Sequence, residues 1–287
     1  MPSLIDIRRR VRSVRNTQQI TKAMKMVAAA RLRKAQERAL AARPYARILQ
    51  QVLANVAEAA SQSPDAGEQP LLAVRPENRI LLVVITADRG LAGGFNANLI
   101  RLAQNFINSH RDQELTFELA GRKGRDYFRK RVRDQIRGEH IDLFRNVRFE
   151  DAEKIADAII ERFSNSEIDA VYLFVNEFKS LLASHLSARR LLPIEVPKSQ
   201  APADYIYEQK PEELLGSLLP RYIRTQIFRA LLESAAAEHA ARMTAMDAAT
   251  SNASDVIDKL TLYMNRVRQA TITKEIIEVV SGAAALE

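Results

Sequence analysis

The stretch LIDIRRRVRSVRNTQQITKAMKMVAAARLRKAQERALAARPYARILQQVLANVAEAA, residues 4–60, decides the fold. Alternate steps of three and four residues from Leu4 to Ala60 meet seventeen positions, and fourteen of them are apolar. Apolar residues at this spacing form a heptad seam along one side of an α-helix, and a seam of this length predicts a coiled coil. Pro44 lies inside the stretch and should kink the helix or end a first segment near Arg43.

A second seam near the other end of the chain supplies the partner that such a helix needs. From Phe228 to Ala270 the same steps meet thirteen positions, of which eleven are apolar. We predict a second long helix that begins near Pro211 or Pro220. The two helices should pair in antiparallel orientation, because both would leave one compact domain from neighbouring points.

The region between the two helices alternates short apolar runs with helical stretches. The expected strands are residues 80–86, 115–121, 170–178 and about 181–192, and the expected helices are residues 98–109 and 151–165. Strands that alternate with helices predict an α/β domain with a largely parallel sheet.

The fold class expected from this organisation is α/β plus coiled coil, with the two terminal helices paired and attached to the α/β domain. The linkers are assigned from their proline and polar residues. The expected domains are an N-terminal helix at residues 1–60, a linker at 61–78, a globular α/β domain at 79–193, a linker at 194–211 and a C-terminal helix at 212–287.

The composition limits the classes of function. The formal net charge is +8, so we expect an acidic partner, which could be nucleic acid, anionic lipid or an acidic protein surface. The chain has no cysteine, which excludes disulfides, thiolate catalysis and cysteine-ligated zinc. No signal peptide is expected, and the longest apolar run, Ile80–Ile85, is too short to span a bilayer. We therefore expect a soluble chain that reaches a membrane only through a partner.

Positive charge is concentrated at the start of the chain. Residues 1–43 carry twelve lysines and arginines against two acids, Asp6 and Glu37. The segment could be a helix that binds nucleic acid, a solvated helix face, or a helix that faces an acidic protein. It has no aromatic residue for base stacking before Tyr45, which argues against nucleic acid. A second basic stretch, residues 122–148, is assigned to a solvated surface without a function.

A glycine-rich turn, DRGLAGGFN at residues 88–96, follows the first strand and precedes a helix. Loops that bind phosphate occupy this place in α/β folds. The turn lacks both the GK[ST] of a P-loop and the G-x-G-x-x-G spacing of dinucleotide folds. We favour a tight turn that needs glycine conformations, or a protein contact, with Gly90, Gly93 and Gly94 as its characteristic residues.

No catalytic or metal-binding constellation is recognisable. The four histidines form no HExxH or similarly spaced pair. Four acids that flank or lie on predicted elements are interpreted as surface charges: Asp169, Glu177, Asp247 and Asp255. The residue pattern therefore gives no support for a catalytic, cofactor or metal site in this chain, and this makes an enzyme less expected without excluding one. A phosphate- or nucleotide-utilising enzyme built on the α/β domain remains the alternative.

Four stretches of this sequence resemble one known family. They are NTQQITKAMKMVAAARLRKAQ at residues 16–36, TADRGLAGGFN at 86–96, EHAARMTAMDAATSNA at 238–253 and RQATITKEIIEVVSGAAAL at 268–286. Their content and order are similar to those of the gamma subunits of bacterial-type (F-type) rotary ATP synthases. The resemblance implies an antiparallel coiled coil on a Rossmann-like α/β domain, the fold that the periodicity suggests independently.

The resemblance also implies roles for particular residues. The residues from Ile272 to Leu286 would turn within an apolar bearing. Gly90, Gly93 and Gly94 would shape a turn close to the base of the catalytic ring. Contacts with beta subunits would fall to Met24, Lys25, Arg242, Arg268, Gln269 and Thr273, and contacts with the c ring and the epsilon subunit to Tyr205, Tyr207 and Glu208.

The partners implied by the resemblance are three alpha and three beta subunits, the epsilon subunit and the membrane c ring, with no nucleic acid. The chain would be a non-catalytic rotor shaft that transmits torque between the c ring and the catalytic ring. ATP and magnesium would bind to the catalytic ring and not to this chain. It would lie at the cytoplasmic face of the bacterial inner membrane as a peripheral subunit. Photosynthetic members carry a regulatory cysteine pair, and the absence of cysteine here excludes thiol regulation.

Overall fold

The computed structural model describes residues 3–61, 69–178, 184–196 and 208–284. The chain forms two compact units. One unit combines the two ends of the chain, Met1–Ala28 and Arg242–Glu287, and the other comprises Ala29–Ala241. Helix α1, Leu4–Ser61, and helix α5, Pro211–Ala284, contribute residues to both units.

Two prolines lie inside the long helices. Helix α1 continues through Pro44, so the predicted end of a segment near Arg43 is wrong. Proline removes the hydrogen bond to the carbonyl of Leu40, but both residues are exposed and water can satisfy that carbonyl. Of the two predicted starts of the second helix, Pro211 is the observed one, because proline at the first helical position costs no hydrogen bond. Pro220 lies within α5.

The unit Ala29–Ala241 is built on a five-stranded sheet with the order β3-β2-β1-β4-β5. The first four strands are parallel and β5 pairs antiparallel with β4, which confirms a largely parallel sheet. The strands are β1 Arg79–Ile85, β2 Glu114–Ala120, β3 Ile136–His140, β4 Ala170–Phe178 and β5 Ser184–Leu192.

The central strand β1 is buried on both faces, as in doubly wound α/β folds. Alternate residues point to opposite sides, so Ile80, Leu82 and Val84 join one core and Leu81, Val83 and Ile85 join the other. The first core contains residues of helices α2 and α3, and the second contains residues of α4 and of the long helices. The shorter helices are α2 Phe95–Ser109, α3 Arg122–Phe128 and α4 Phe149–Ser164.

One strand and one helix were not predicted from the sequence. Strand β3 and helix α3 both fall in the basic stretch that was assigned to a solvated surface. Strand β3 reads IRGEH and lies at the edge of the sheet, where it is never fully buried, so it has no apolar run to reveal it. Helix α3 has only seven residues, too few to establish a helical period.

The unit formed by the chain ends is an antiparallel pair of helices. Its direction is visible in two contacts: Thr21 meets Thr250 and Lys25 meets Asp247, so the residue number falls along α5 as it rises along α1. The fold class predicted from the sequence, a long two-helix coiled coil with a Rossmann-like α/β domain, is confirmed.

The predicted burial agrees with the structure over the whole seam of α1 but only over part of the seam of α5. All seventeen seam positions from Leu4 to Ala60 are buried or half-buried, as predicted. In α5 the predicted positions Val256 and Tyr263 are 42% and 39% exposed, whereas Ile257 is only 9% exposed. The seam there uses the neighbouring positions, because Ile257 and Met264 offer the helix an equally apolar stripe one residue further on.

Candidate functional site

The paired helices of the first unit meet through polar side chains at one level. The hydroxyl oxygens of Thr21 and Thr250 lie 2.8 Å apart. One turn further along α1, Nζ of Lys25 lies 2.5 Å from Oδ1 of Asp247. Two of the polar exceptions in the N-terminal seam therefore have partners on α5, and the heptad pattern continues there with polar contacts in place of apolar ones.

The predicted contact residues of α1 lie at this level. Met24 is half-buried, and Lys25 is engaged by Asp247 while its side chain stays 42% exposed. The side chain of Asp247 is 60% exposed, so both charges remain within reach of a partner. An ion pair with this exposure is weak, with a net value of roughly 0–1 kcal/mol.

A basic surface surrounds this level on α1. Its cations are exposed, apart from the half-buried Lys25. Within the described parts of the chain, Lys25 is the one among these cations that has a carboxylate within 4 Å. The seven cations are Arg8, Arg9, Arg10, Arg12, Arg15, Lys22 and Lys25.

The far end of α5 exposes apolar side chains. Arg268, Gln269 and Thr273 are exposed, as expected of contact residues, whereas Arg242 is only 8% exposed. Clustered apolar residues on an exposed helix mark a surface that another protein covers. The exposed large apolar residues are Ile272, Ile276, Ile277, Val279 and Val280.

The glycine-rich turn is held by contacts within the chain. Asn96 accepts a hydrogen bond from the backbone N–H of Ala87 at 2.9 Å, which closes the turn on the start of α2. Leu91 and Gly93 both adopt left-handed backbone conformations, with φ of 64° and 54°. A Cβ atom at Gly94 would lie 2.8 Å from the side chain of Asn98, whereas one at Gly90 would have no neighbour closer than 3.8 Å. These contacts favour the interpretation of a tight turn.

A second close approach next to this turn was not predicted. Gly121 has φ of 97°, and a Cβ atom there would lie 1.9 Å from the carbonyl oxygen of Thr86. The N–H of Gly124 donates to Oγ1 of Thr86 at 2.8 Å. Beside them, Oδ1 of Asp88 accepts the backbone N–H groups of Arg122 and Asp142. The carboxyl ends of strands β1, β2 and β3 are therefore fixed to one another by hydrogen bonds from backbone N–H groups to the side chains of Thr86 and Asp88.

A buried charge cluster joins β2, β3 and α4. Glu118 is 2% exposed, and its carboxylate lies 2.6 Å from Nε2 of His140 and 3.1 Å from Nη1 of Arg162. A Cβ atom at Gly138 would lie 1.9 Å from Oε1 of Glu118, so any larger residue there would require this carboxylate to move. The one sequence signal for this cluster is a glutamate inside the otherwise uncharged run LTFELA.

Asp169 was interpreted as a surface charge, and that interpretation is wrong. Its side chain is buried and accepts hydrogen bonds from the backbone and guanidinium groups of Arg79. These hydrogen bonds lower the pKa of Asp169 below the ordinary value of 3.8. The carboxylate ties the start of β1 to the start of β4, a structural role.

The structure gives no site geometry for the predicted contacts with the c ring and the epsilon subunit. Tyr205 and Tyr207 lie outside the described residues, and Glu208 is exposed.

No group of three or more acids or histidines in the described ranges could hold a metal ion. Among the described helices none is both long and apolar enough to cross a bilayer. The unit Ala29–Ala241 contains a cavity of about 580 Å³ bounded by α1, α4 and α5, with Tyr45 among its lining residues.

Comparison with known proteins gives a consistent result over the whole chain. The family described as ATP synthase matches residues 3–286. A protein of Solibacter usitatus named ATP synthase gamma chain is 63% identical over 287 residues, with 100% of both chains covered. Another of that name, from an Anaeromyxobacter species (strain Fw109-5), is 51% identical over 292 residues, again with 100% of both covered.

Solved structures share the fold. A chain from the central stalk and c ring of the Tetrahymena thermophila mitochondrial ATP synthase matches with a TM-score of 0.63 and 24% identity, over 80% of this chain and 99% of that one. A chain from the rotor of the Euglena gracilis mitochondrial ATP synthase matches with a TM-score of 0.63 and 18% identity, over 94% of this chain and 98% of that one.

Proposed function

The chain belongs to the family of ATP synthase gamma chains, and we propose that it transmits torque as a non-catalytic shaft between a membrane c ring and a ring of three alpha and three beta subunits. The observation that carries this proposal is the 63% identity to a gamma chain over the full length of both proteins. The antiparallel helix pair, with a basic surface on α1 and an apolar surface at the end of α5, supports it.

The physical requirements of a shaft fit the surface of the helix pair. A shaft must resist twisting, and two helices that contact each other through a continuous seam resist it better than one. It must also avoid a deep energy minimum at any one angle, because such a minimum would stop rotation. Aromatic side chains anchor many binding hot spots, and this chain has no Trp and only 6% aromatic residues.

We place the contacts with beta subunits at Met24, Lys25, Arg242, Arg268, Gln269 and Thr273. The basic surface of α1 would attract acidic segments of those subunits at several angles. The buried position of Arg242 means that it would act mainly by orienting its neighbours in the helix pair. The apolar residues from Ile272 to Val280 would turn within an apolar bearing, which explains their exposure in the single chain.

The remaining partners follow from the same family. We place the c ring and the epsilon subunit against Tyr205, Tyr207 and Glu208, and the base of the catalytic ring near the turn of Gly90, Gly93 and Gly94. Membrane contact would come through the c ring alone, at the cytoplasmic face of the inner membrane. Catalysis, ATP and magnesium would belong to the partner subunits, and nucleic acid would not be a partner.

Replacing Met24 with lysine tests the contact surface. The change adds a charge at the proposed beta contact, so ATP-driven proton pumping by membranes that carry the assembled complex should fall several-fold. The isolated chain should lose little stability, because Met24 is only half-buried. The measurements are the quenching of a pH-sensitive dye by inverted membrane vesicles and the melting temperature of the isolated chain.

Met26→Lys is the matched control. It makes the same chemical change two residues away, where the side chain is 61% exposed on another face of α1. Pumping should stay close to that of the unchanged protein. Equal pumping by Met24→Lys and the unchanged protein would remove Met24 from the contact surface.

A further inference from the structure

The ion pair between Lys25 and Asp247 has a property that the shaft role does not require. It joins α1 to α5 within one unit, with 2.5 Å between Nζ and Oδ1. Both side chains nevertheless remain accessible, with 42% and 60% of their surface exposed. A pair with this exposure contributes only about 0–1 kcal/mol to stability, so joining the helices is not a sufficient reason for it.

The side of the pair formed by α1 carries several cations, and Asp247 pairs with only one of them. Lys25 follows a series of exposed cations of α1, from Arg8 to Lys22, and none of these has a carboxylate within 4 Å in the described parts of the chain. Asp247 is therefore an acid placed against one particular cation of a basic surface. Two other exposed acids of α5, Asp255 and Asp258, have no cation within 4 Å among the described residues, and the exposed Glu278 pairs with Lys274 of its own helix. Asp247 differs from these acids because it reaches across to a cation of α1.

We propose that Asp247 competes with partner subunits for Lys25. Asp247 binds the ammonium group of Lys25 until an acidic segment of a partner subunit takes its place. The proposal rests on the proposed function, because it assumes that acidic partner segments pass this level of the helix pair. The partner chemistry is an exposed peptide segment that carries carboxylates.

The exchange is nearly neutral in free energy, which suits a rotating contact. A partner carboxylate that takes Lys25 replaces one exposed ion pair with another, so the ammonium group never loses its counter-charge. The released Asp247 then repels the incoming carboxylate. Asp247 thus weakens the hold of any one acidic segment on Lys25 and leaves the basic surface attractive over longer distances.

The test uses the reconstituted complex of this chain with its alpha and beta subunits, and it measures the turnover number for ATP. At about 0.01 M ionic strength, Asp247→Asn should lower turnover by roughly two- to fivefold, the scale of one exposed ion pair, because partner carboxylates now hold Lys25 without competition. At about 0.15 M, where the Debye length is about 8 Å, most of this loss should disappear. Asp258→Asn removes an equal charge from α5 and should leave turnover unchanged.

A double variant separates competition from a structural role. Whatever turnover Lys25→Gln shows by itself, adding Asp247→Asn to it should cause no further change, because the group for which Asp247 competes is gone. Equal slowing by Asp247→Asn with and without Lys25, or slowing that salt does not relieve, would overturn the competition. So would unchanged turnover in Asp247→Asn. A chain that does not assemble with the alpha and beta subunits at all would instead overturn the proposed function.

Discussion

Replacing Gly121 with alanine should lower the free energy of unfolding of the chain by more than about 3 kcal/mol. The φ of 97° is a conformation that alanine rarely adopts, and its Cβ would lie 1.9 Å from the carbonyl oxygen of Thr86. That oxygen belongs to the backbone at the end of the central strand and cannot move aside as a flexible side chain could. Relief would require β1 and β2 to separate where both enter their loops.

Denaturation by urea, followed by circular dichroism, measures this loss. Gly90→Ala is the matched control, because a Cβ atom at Gly90 would have Lys123 Cε as its nearest neighbour, at 3.8 Å. That variant should unfold within about 1 kcal/mol of the unchanged protein. A Gly121→Ala protein as stable as the Gly90→Ala protein would show that the two strand ends are not in close contact.

Replacing Arg162 with methionine should cost about 2–4 kcal/mol of stability, because it removes a charged partner from a carboxylate that is almost completely buried. Glu118 is only 2% exposed, and its carboxylate lies next to Gly138 inside the sheet. His140 remains beside it, which sets the loss below that of a carboxylate with no partner.

The double variant Glu118→Gln with Arg162→Met tests the cause of that loss. It removes both charges, so the desolvation cost of the carboxylate disappears, and it should be more stable than Arg162→Met alone. The measurement is again the free energy of unfolding in urea. If the second substitution makes the protein still less stable, the cost of Arg162→Met comes from lost packing of its alkyl chain and not from an uncompensated charge.

The helical part of the fold could be predicted because it depends on one repeated pattern. A seam of seventeen positions averages out local exceptions, so the buried side of α1 follows from the sequence. The shift in α5 shows the limit of this reasoning. Val256 and Ile257 are adjacent and both apolar, and only the register against α1 decides that Ile257 is the buried one.

The α/β unit could be predicted only where its strands are central. Strand β1 is an apolar run because both of its faces are buried, whereas β3 at the edge has Ile136 as the one large apolar residue in its five positions. The need for glycine at Gly121 and Gly138 depends on Thr86 and Glu118, which the sheet brings close to them. No local pattern can reveal a requirement that arises between strands.

In the candidate site, the sequence reveals the polar positions of α1 but not their partners on α5. Gln18, Thr21 and Lys25 are recognisable as breaks in an apolar seam, so the sequence indicates polar contacts at this level of helix α1. It does not indicate that Thr250 and Asp247 supply the partners, because those residues lie more than 200 positions away and their pairing depends on helix register. Asp247 was interpreted as an ordinary surface charge for that reason.

The central claim is that the chain is a non-catalytic shaft inside a ring of larger subunits, and the mass of the native complex tests it most directly. A tagged copy should be isolated from its own cells in mild detergent and weighed by native mass spectrometry, and its ATPase activity compared with that of the purified chain. We predict one copy of this chain with three copies each of two larger subunits, and ATPase activity in the complex alone. Recovery of the chain by itself or with nucleic acid would contradict the account, as would ATPase activity of the isolated chain.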